Sequence, residues 1–166
     1  EELFPTGGHT LVQCVTYSGH SPFIIPEESK RISFSDKLPE RLRNYMVVAN
    51  YTDYAIGQFI TFLRSQKKFE NTMIVITGDH EGFGLTRKPL YEHALGKDII
   101  SPERFTPLIV LNSPVHLRYE KVMGQVDLYP TLLDLLGADD YPWRGVGESI
   151  LSSGKKAFAI SPPMEI

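Results

Sequence analysis

A chain of 166 residues, 42% of them hydrophobic, is long enough for one domain with a real core. Its 17 basic residues are scattered and outnumbered by 20 acidic ones, and the charge of −3 excludes a nucleic-acid footprint. No apolar run approaches the roughly 18 residues that span a bilayer, and no signal-peptide pattern is read at the start.

Glu1 in place of a methionine points to a processed form or a piece of something longer, whose signals would lie upstream. Residues 10–17, "TLVQCVTY", are continuous enough in apolar side chains to predict a strand buried on both faces. The single cysteine, Cys14, lies inside this run; it excludes an internal disulfide and is expected to be a buried, inert thiol. In "SGHSPFIIP", Gly19, Pro22 and Pro26 then mark a loop.

A long helix follows. Leu38, Leu42, Tyr45, Ala49, Thr52, Ile56, Phe59 and Leu63 alternate by four and three, an apolar stripe over several turns. Ser35 or Asp36 is placed to cap its start and Pro39 suits its first turn, while the cations of "RSQKKF" suit its end. After a short turn, residues 72–77 ("TMIVIT") predict a second buried strand.

Residues 79–104 form a long segment rich in glycine and charge, which predicts a functional or partly helical loop. "TPLIVLN" (106–112) predicts a third strand. "GQVDLYPTLLDLLG" (124–137) predicts a helix with Asp127 at its start and Pro130 in its first turn. Leu132, Leu133 and Leu136 are its expected buried face, and Gly137 suits the position just past its end. A turn-rich tail leads to "KAFAI", read as an edge strand.

Strand, helix, strand, strand, helix implies an α/β fold: a mainly parallel sheet with helices on both faces. In such sheets ligands bind beyond the carboxyl ends of the strands. "SGHSPF" and "GDHEGFG" each follow a predicted strand, so the reading places them on one sheet edge.

The chemistry lies in those two loops. Asp79 offers a hard anionic oxygen and His80 a borderline nitrogen, a pair that suits Mg²⁺, Mn²⁺ or Zn²⁺ without completing a site. Adjacent strand residues point to opposite faces, so a bend after Gly78 is needed to bring both to one ion. The competing reading is a polar turn in which Asp79 caps backbone amides. His20 is either a solvated loop histidine or a site residue. Ser18 and Ser21 flank it, but no Gly-x-Ser-x-Gly elbow accompanies them, which argues against a serine nucleophile. His9 and His116 sit in surface-like contexts, and His93 reads as a helix-surface histidine with closure of a metal site or substrate contact as the alternative. Glu81 reads as solvated rather than catalytic, and Trp143-Arg144 reads as a packed aromatic that could contact substrate.

"NYTDYAIGQFITFLRSQKKFENTMIVITGDHEG" resembles the sulfatase-like branch of the alkaline phosphatase superfamily. With "SGHSPF", "LGKDIISPERFTPLIVLNSP" and "GQVDLYPTLLDLLG" in order, the likeness narrows to lipoteichoic acid synthase and related phosphoglycerol transferases and covers residues 10–151. The resemblance implies a three-layer α/β fold. It implies that Asp79 and His80 ligate one divalent ion, Mn²⁺ or Mg²⁺ ahead of Zn²⁺. It implies that His20, in a motif like "H-x-P-F", binds substrate phosphate or protonates the leaving group.

The family's acidic ligand and threonine nucleophile have no match here; Thr6, Thr10 and Thr16 lack the context. Residues 1–166 are therefore expected to be the C-terminal portion of a catalytic domain whose N-terminal half is missing. The implied substrate is a phospholipid or phosphoglycerol head group, and the implied parent is membrane-anchored with its catalytic domain on the extracytoplasmic face. Self-association is expected from an uncovered sheet flank. The rival readings are a sulfuric ester hydrolase, with an upstream Cys or Ser nucleophile, and a non-catalytic module with a relict metal site.

Overall fold

The computed structural model describes residues 8–67, 69–80, 105–138 and 140–160. Glu81, the glycines of "EGFG", His93, most of the 79–104 loop and Thr6 lie outside the described residues. The chain divides into two units, one of residues 1–72 and 76–109, the other of residues 73–75 and 110–166.

In the first unit, helix α1 (Glu40–Arg64) matches the apolar stripe, with Pro39 at its cap position and Arg64 in its last turn. Pro39 suits that place because its fixed φ is pre-organised and its missing N–H is one the helix start does not need. The buried face is rotated from the expected one. Leu42 and Leu63 are buried as predicted, but so are Val47 and Val48, whereas Ala49 and Phe59 are exposed. The reason is the packing partner: Phe23 and Ile25, from the loop ahead of the helix, form a core with Val47 and Val48, flanked by Phe34, Tyr45 and Tyr51.

Residues 10–17 do not form a strand. They carry neither helix nor strand geometry, Leu11 is 91% exposed, and Val12, Val15, Tyr17 and Cys14 are exposed too. A strand needs a neighbour for its N–H and C=O groups. The two strands among the described residues pair with each other instead.

Those strands are β1 (Ile74–Thr77) and β2 (Leu108–Leu111), a two-stranded sheet in which most residues are half-buried rather than buried. A Cβ on Gly78, just past β1, would lie 3.2 Å from Thr106 Cβ, just ahead of β2. The end of one strand thus meets the start of the other, so this pair is antiparallel, not parallel as expected. Four apolar residues look alike in either direction; only the path of the connection decides. A side chain at Gly78 would be tight there, though its φ is not positive. Among the described residues there are helices and one strand pair, which do not make up the expected three layers.

In the second unit, a 3₁₀ turn (Gln125–Asp127) leads into helix α2 (Leu128–Leu135). Gly137 has φ +69, its N–H bonds Asp134 O at 3.1 Å, and Ala138 N–H bonds Leu133 O at 2.8 Å. These two bonds satisfy the last carbonyls of the helix, the stop expected of glycine at that position. Leu132 and Leu133 are half-buried, but Leu136 is exposed; Pro130 and Thr131 are buried in its stead. The "KAFAI" segment is not a strand, and Phe158 and Ile160 are exposed.

Asp127 organises this unit. It is 3% exposed and accepts from Gly124 N–H at 2.9 Å, Glu148 N–H at 3.0 Å and Lys155 Nζ at 3.1 Å. Thr131 extends the network: its hydroxyl donates to Asp127 O at 2.6 Å and accepts from Ile150 N–H at 3.1 Å. Burial alone pushes the carboxyl upward, but the Glu148 and Gly124 amides and the Lys155 ammonium outweigh it and hold Asp127 below its ordinary 3.8.

A lowered folded value means stability that is present above pH 3.8 and lost as pH falls through the folded value. Asp127→Ala is expected to cost about 3–5 kcal/mol, because it strands a buried lysine. In thermal melts, the gap between wild type and Asp127→Asn should be full at neutral pH and shrink below pH 3.8. A gap that does not change with pH would show that the carboxylate charge is not what holds the unit.

Candidate functional site

Residues 17–23 fold back on themselves in two turns: His20 N–H bonds Tyr17 O at 3.0 Å, and Phe23 N–H bonds His20 O at 3.0 Å. The Ser21–Pro22 bond in the second turn is cis. Phe23 ends the loop with φ 63, a conformation a bulky residue adopts only when its surroundings impose it. Here the imposed gain is burial: Phe23 is 6% exposed and meets Tyr45 edge-on with ring centroids 5.3 Å apart.

Two polar contacts dock the same loop onto α1. Ser18 Oγ lies 3.4 Å from Thr52 Oγ1, and Arg41 donates to Ser21 Oγ at 3.4 Å, its guanidinium 5.5 Å from the Phe23 ring centre. Arg41 was not singled out by the sequence, although its place in the first turn of α1 beside a docked loop was a readable signal.

His20 is presented at the tip of this loop, exposed, with its ring stacked on Tyr17 at 5.7 Å and 7°. Its Nδ1 lies 2.7 Å from Ser21 O. A carbonyl only accepts, so Nδ1 carries the hydrogen in that bond, and Nε2 becomes the nitrogen that takes or gives a proton elsewhere.

Asp79 and His80 follow β1 and are both exposed, their side chains 86% and 69% accessible. Asp79 Oδ1 accepts from the His80 N–H at 3.0 Å, and Asp79 Oδ2 lies 3.7 Å from His80 Nε2. The capping contact and the convergence of donors therefore coexist. Two donors each about 2.1 Å from one ion stand roughly 3.0–3.5 Å apart, so the pair fits one divalent ion after a small rotation. It fits as a partial donor set. Among the described residues no group of three or more His, Cys, Asp or Glu side chains gathers at one point, and His20 is not joined to the pair. With residues 10–17 not a strand, the shared sheet edge expected for the two loops is not formed either.

Of the other described histidines, His9 and His116 are exposed. Trp143 packs at a tilt against Tyr129 and keeps part of its surface exposed.

The Phe23 anchor makes a sharp test of how His20 is held. Phe23→Ala should destabilise the first unit by about 3–5 kcal/mol, the cost of emptying a buried phenylalanine site. Denaturant unfolding measures this. A loss under 1 kcal/mol would mean that the polar contacts to α1 hold the loop unaided.

Comparison with known proteins shows which family the chain resembles. The family model described as Sulfatase matches residues 5–138. A lipoteichoic acid synthase-like protein, YvgJ, of Bacillus subtilis strain 168 is 32% identical over 155 residues, covering 88% of this chain and 25% of that protein. The lipoteichoic acid synthase of Staphylococcus aureus strain USA300 is 30% identical over 146 residues, covering 84% of this chain and 22% of that protein. The chain thus spans about a quarter of the length of the curated relatives it matches.

Proposed function

The chain belongs to the sulfatase family, and we propose that it supplies part of the active site of a metal-dependent phosphoryl-transfer enzyme. The reaction moves phosphoglycerol from a phospholipid head group to an acceptor hydroxyl. The observation that carries this reading is the Asp79–His80 pair, with donor atoms 3.7 Å apart at the end of β1, in a chain similar to lipoteichoic acid synthases.

In this reading residues 1–166 are the C-terminal portion of the catalytic domain, and a threonine nucleophile and an acidic ligand come from residues outside them. Threonine oxygen bonds to phosphorus as the bond to the lipid alcohol breaks; an acceptor hydroxyl then takes the phosphoglycerol from the threonine. Asp79 and His80 hold the ion, Mn²⁺ or Mg²⁺. When bound, it supplies positive charge that stabilises phosphoryl oxygens and lowers the nucleophile's pKa. His20 acts through Nε2, binding a phosphate oxygen or giving a proton to the departing alcohol. Nδ1, bonded to Ser21 O, keeps the ring facing its task. The parent is membrane-anchored with this domain on the extracytoplasmic side; among the described residues no helix is long and apolar enough to cross a membrane.

Sulfuric ester hydrolysis is the second reading, favoured by the description of the matching family model. The two differ at the nucleophile, a threonine for phosphoryl transfer and an oxidisable Cys or Ser for sulfate esters.

In the intact protein, Asp79→Ala and His80→Ala should each abolish Mn²⁺ binding by calorimetry and reduce turnover of a phosphoglycerol lipid to background. His20→Ala should spare Mn²⁺ binding and lower turnover about 10²–10⁴-fold, the range of general acid–base catalysis. Near-normal activity of Asp79→Ala would sink the assignment. For the isolated chain, the exposed Leu11, Val12, Val15 and Tyr17 support self-association. Light scattering should show oligomers that Leu11→Asp with Val15→Asp disperses, and a strictly monomeric wild type would refute it.

A further inference from the structure

We propose that the second unit carries a binding site for an anionic saccharide, a sugar ring bearing a phosphate or carboxylate group. Asp79, His80 and His20 are not among its lining residues, and the proposal does not depend on their roles. It is an open cavity of about 430 Å³ lined by Tyr129, Tyr141, Pro142, Trp143, Arg144 and Gly145.

The cavity has a fixed wall. Trp143 Nε1 donates to Gly147 O at 2.9 Å, and the indole lies 4.9 Å from the Tyr129 ring centre at a 33° tilt. Gly145 closes over the indole so tightly that a Cβ there would fall 1.9 Å from Trp143 Cζ2. Gly147 is pinned likewise, since its Cβ would meet Val126 O at 1.8 Å. The indole is therefore held in place by backbone that only glycine permits, while Trp143, Tyr129 and Tyr141 all keep exposed surface.

Exposed aromatic faces are electron-rich and attract the polarised C–H groups of a sugar ring, and a pocket of this size suits one ring with a substituent. Ring faces alone would also attract a cationic ligand. Arg144 decides against that. It is exposed and, among the described residues, forms no ion pair, so its guanidinium offers a bidentate fork to a carboxylate or phosphate. Asp140, next to Tyr141 in sequence, is not among the lining residues.

Trp143 is the one tryptophan in the sequence, so its fluorescence reports directly on the cavity. The full 166-residue chain is titrated with glucose 6-phosphate and with glucuronate, and in parallel with glucose and with inorganic phosphate. Both anionic sugars should change the emission saturably and bind about tenfold or more tighter than either half. Arg144→Gln, a surface change that leaves the circular dichroism unaltered, should reduce their affinity to that of glucose. Gly145→Ala should displace the indole and abolish the response in a chain that retains α1 and α2 by circular dichroism. Absence of a saturable change overturns the proposal. So does phosphate binding as tightly as glucose 6-phosphate, or Arg144→Gln binding like wild type.

Discussion

One buried carboxylate sets the form of the second unit. An ionised group removed from water is tolerable only when it is paired and hydrogen-bonded. Asp127 meets this condition with two backbone amides and an equally buried ammonium, Lys155. Those donors come from three places in the chain: just before α2, the turn after Gly147, and the start of the last segment. Satisfying the charge therefore fixes where all three lie. The Trp143 wall follows from it, because the Gly147 carbonyl that holds the indole sits next to the Glu148 amide held by Asp127. A polar group here does what a large apolar core does elsewhere, a solution suited to a unit in which Pro130, Thr131 and Ser149 are buried but few large side chains are.

The first unit uses the opposite device. Its loop is anchored by an apolar residue, Phe23, forced into a left-handed conformation so that its ring reaches the α1 face. That anchor has a functional consequence, because His20 lies between the anchor and the Ser18–Thr52 contact. The imidazole is exposed, yet the backbone carrying it is tied on both sides. Exposure with a fixed base is what a group needs if it is to meet a substrate without a large ordering cost.

Where the sequence carried many repeats of a signal, the structure could be read from it. Helix α1 is long enough for its 3.6-residue period to stand out, and Gly137 marks its helix end by a rule of backbone geometry alone. The Asp79–His80 pair stands out in the sequence because the two residues are adjacent, and its metal-binding role is part of the proposed function. Other features depend on partners that a local pattern does not name. Residues 10–17 have the composition of a buried strand, but composition states what favours burial and not what provides it; with no neighbouring strand among the described residues they stay exposed. The direction of the β1–β2 pairing was illegible for the same reason. So was the Asp127–Lys155 pair, since neither residue differs in sequence from an ordinary surface charge. Nothing in the sequence pattern around Trp143 and Arg144 announced that Gly145 and Gly147 are sterically required beside the indole.

In the proposed reading, the observed capping role of Asp79 is compatible with a metal-ligand role. Its Oδ1 accepts the amide of the next residue, and that bond sets the carboxylate plane relative to the His80 backbone. Its Oδ2 consequently lies toward the His80 imidazole, within a small rotation of the spacing that two ligands of one ion require. The turn thus pre-orients the donors with local contacts, before any third ligand is present. A metal pair built this way needs little from the rest of the protein to keep its shape, but it needs more ligands to hold an ion tightly, since hard divalent cations take six or more oxygens and Zn²⁺ four donors. Affinity and geometry are therefore separable here: the geometry is local to residues 79 and 80, and the affinity depends on what else is brought to them.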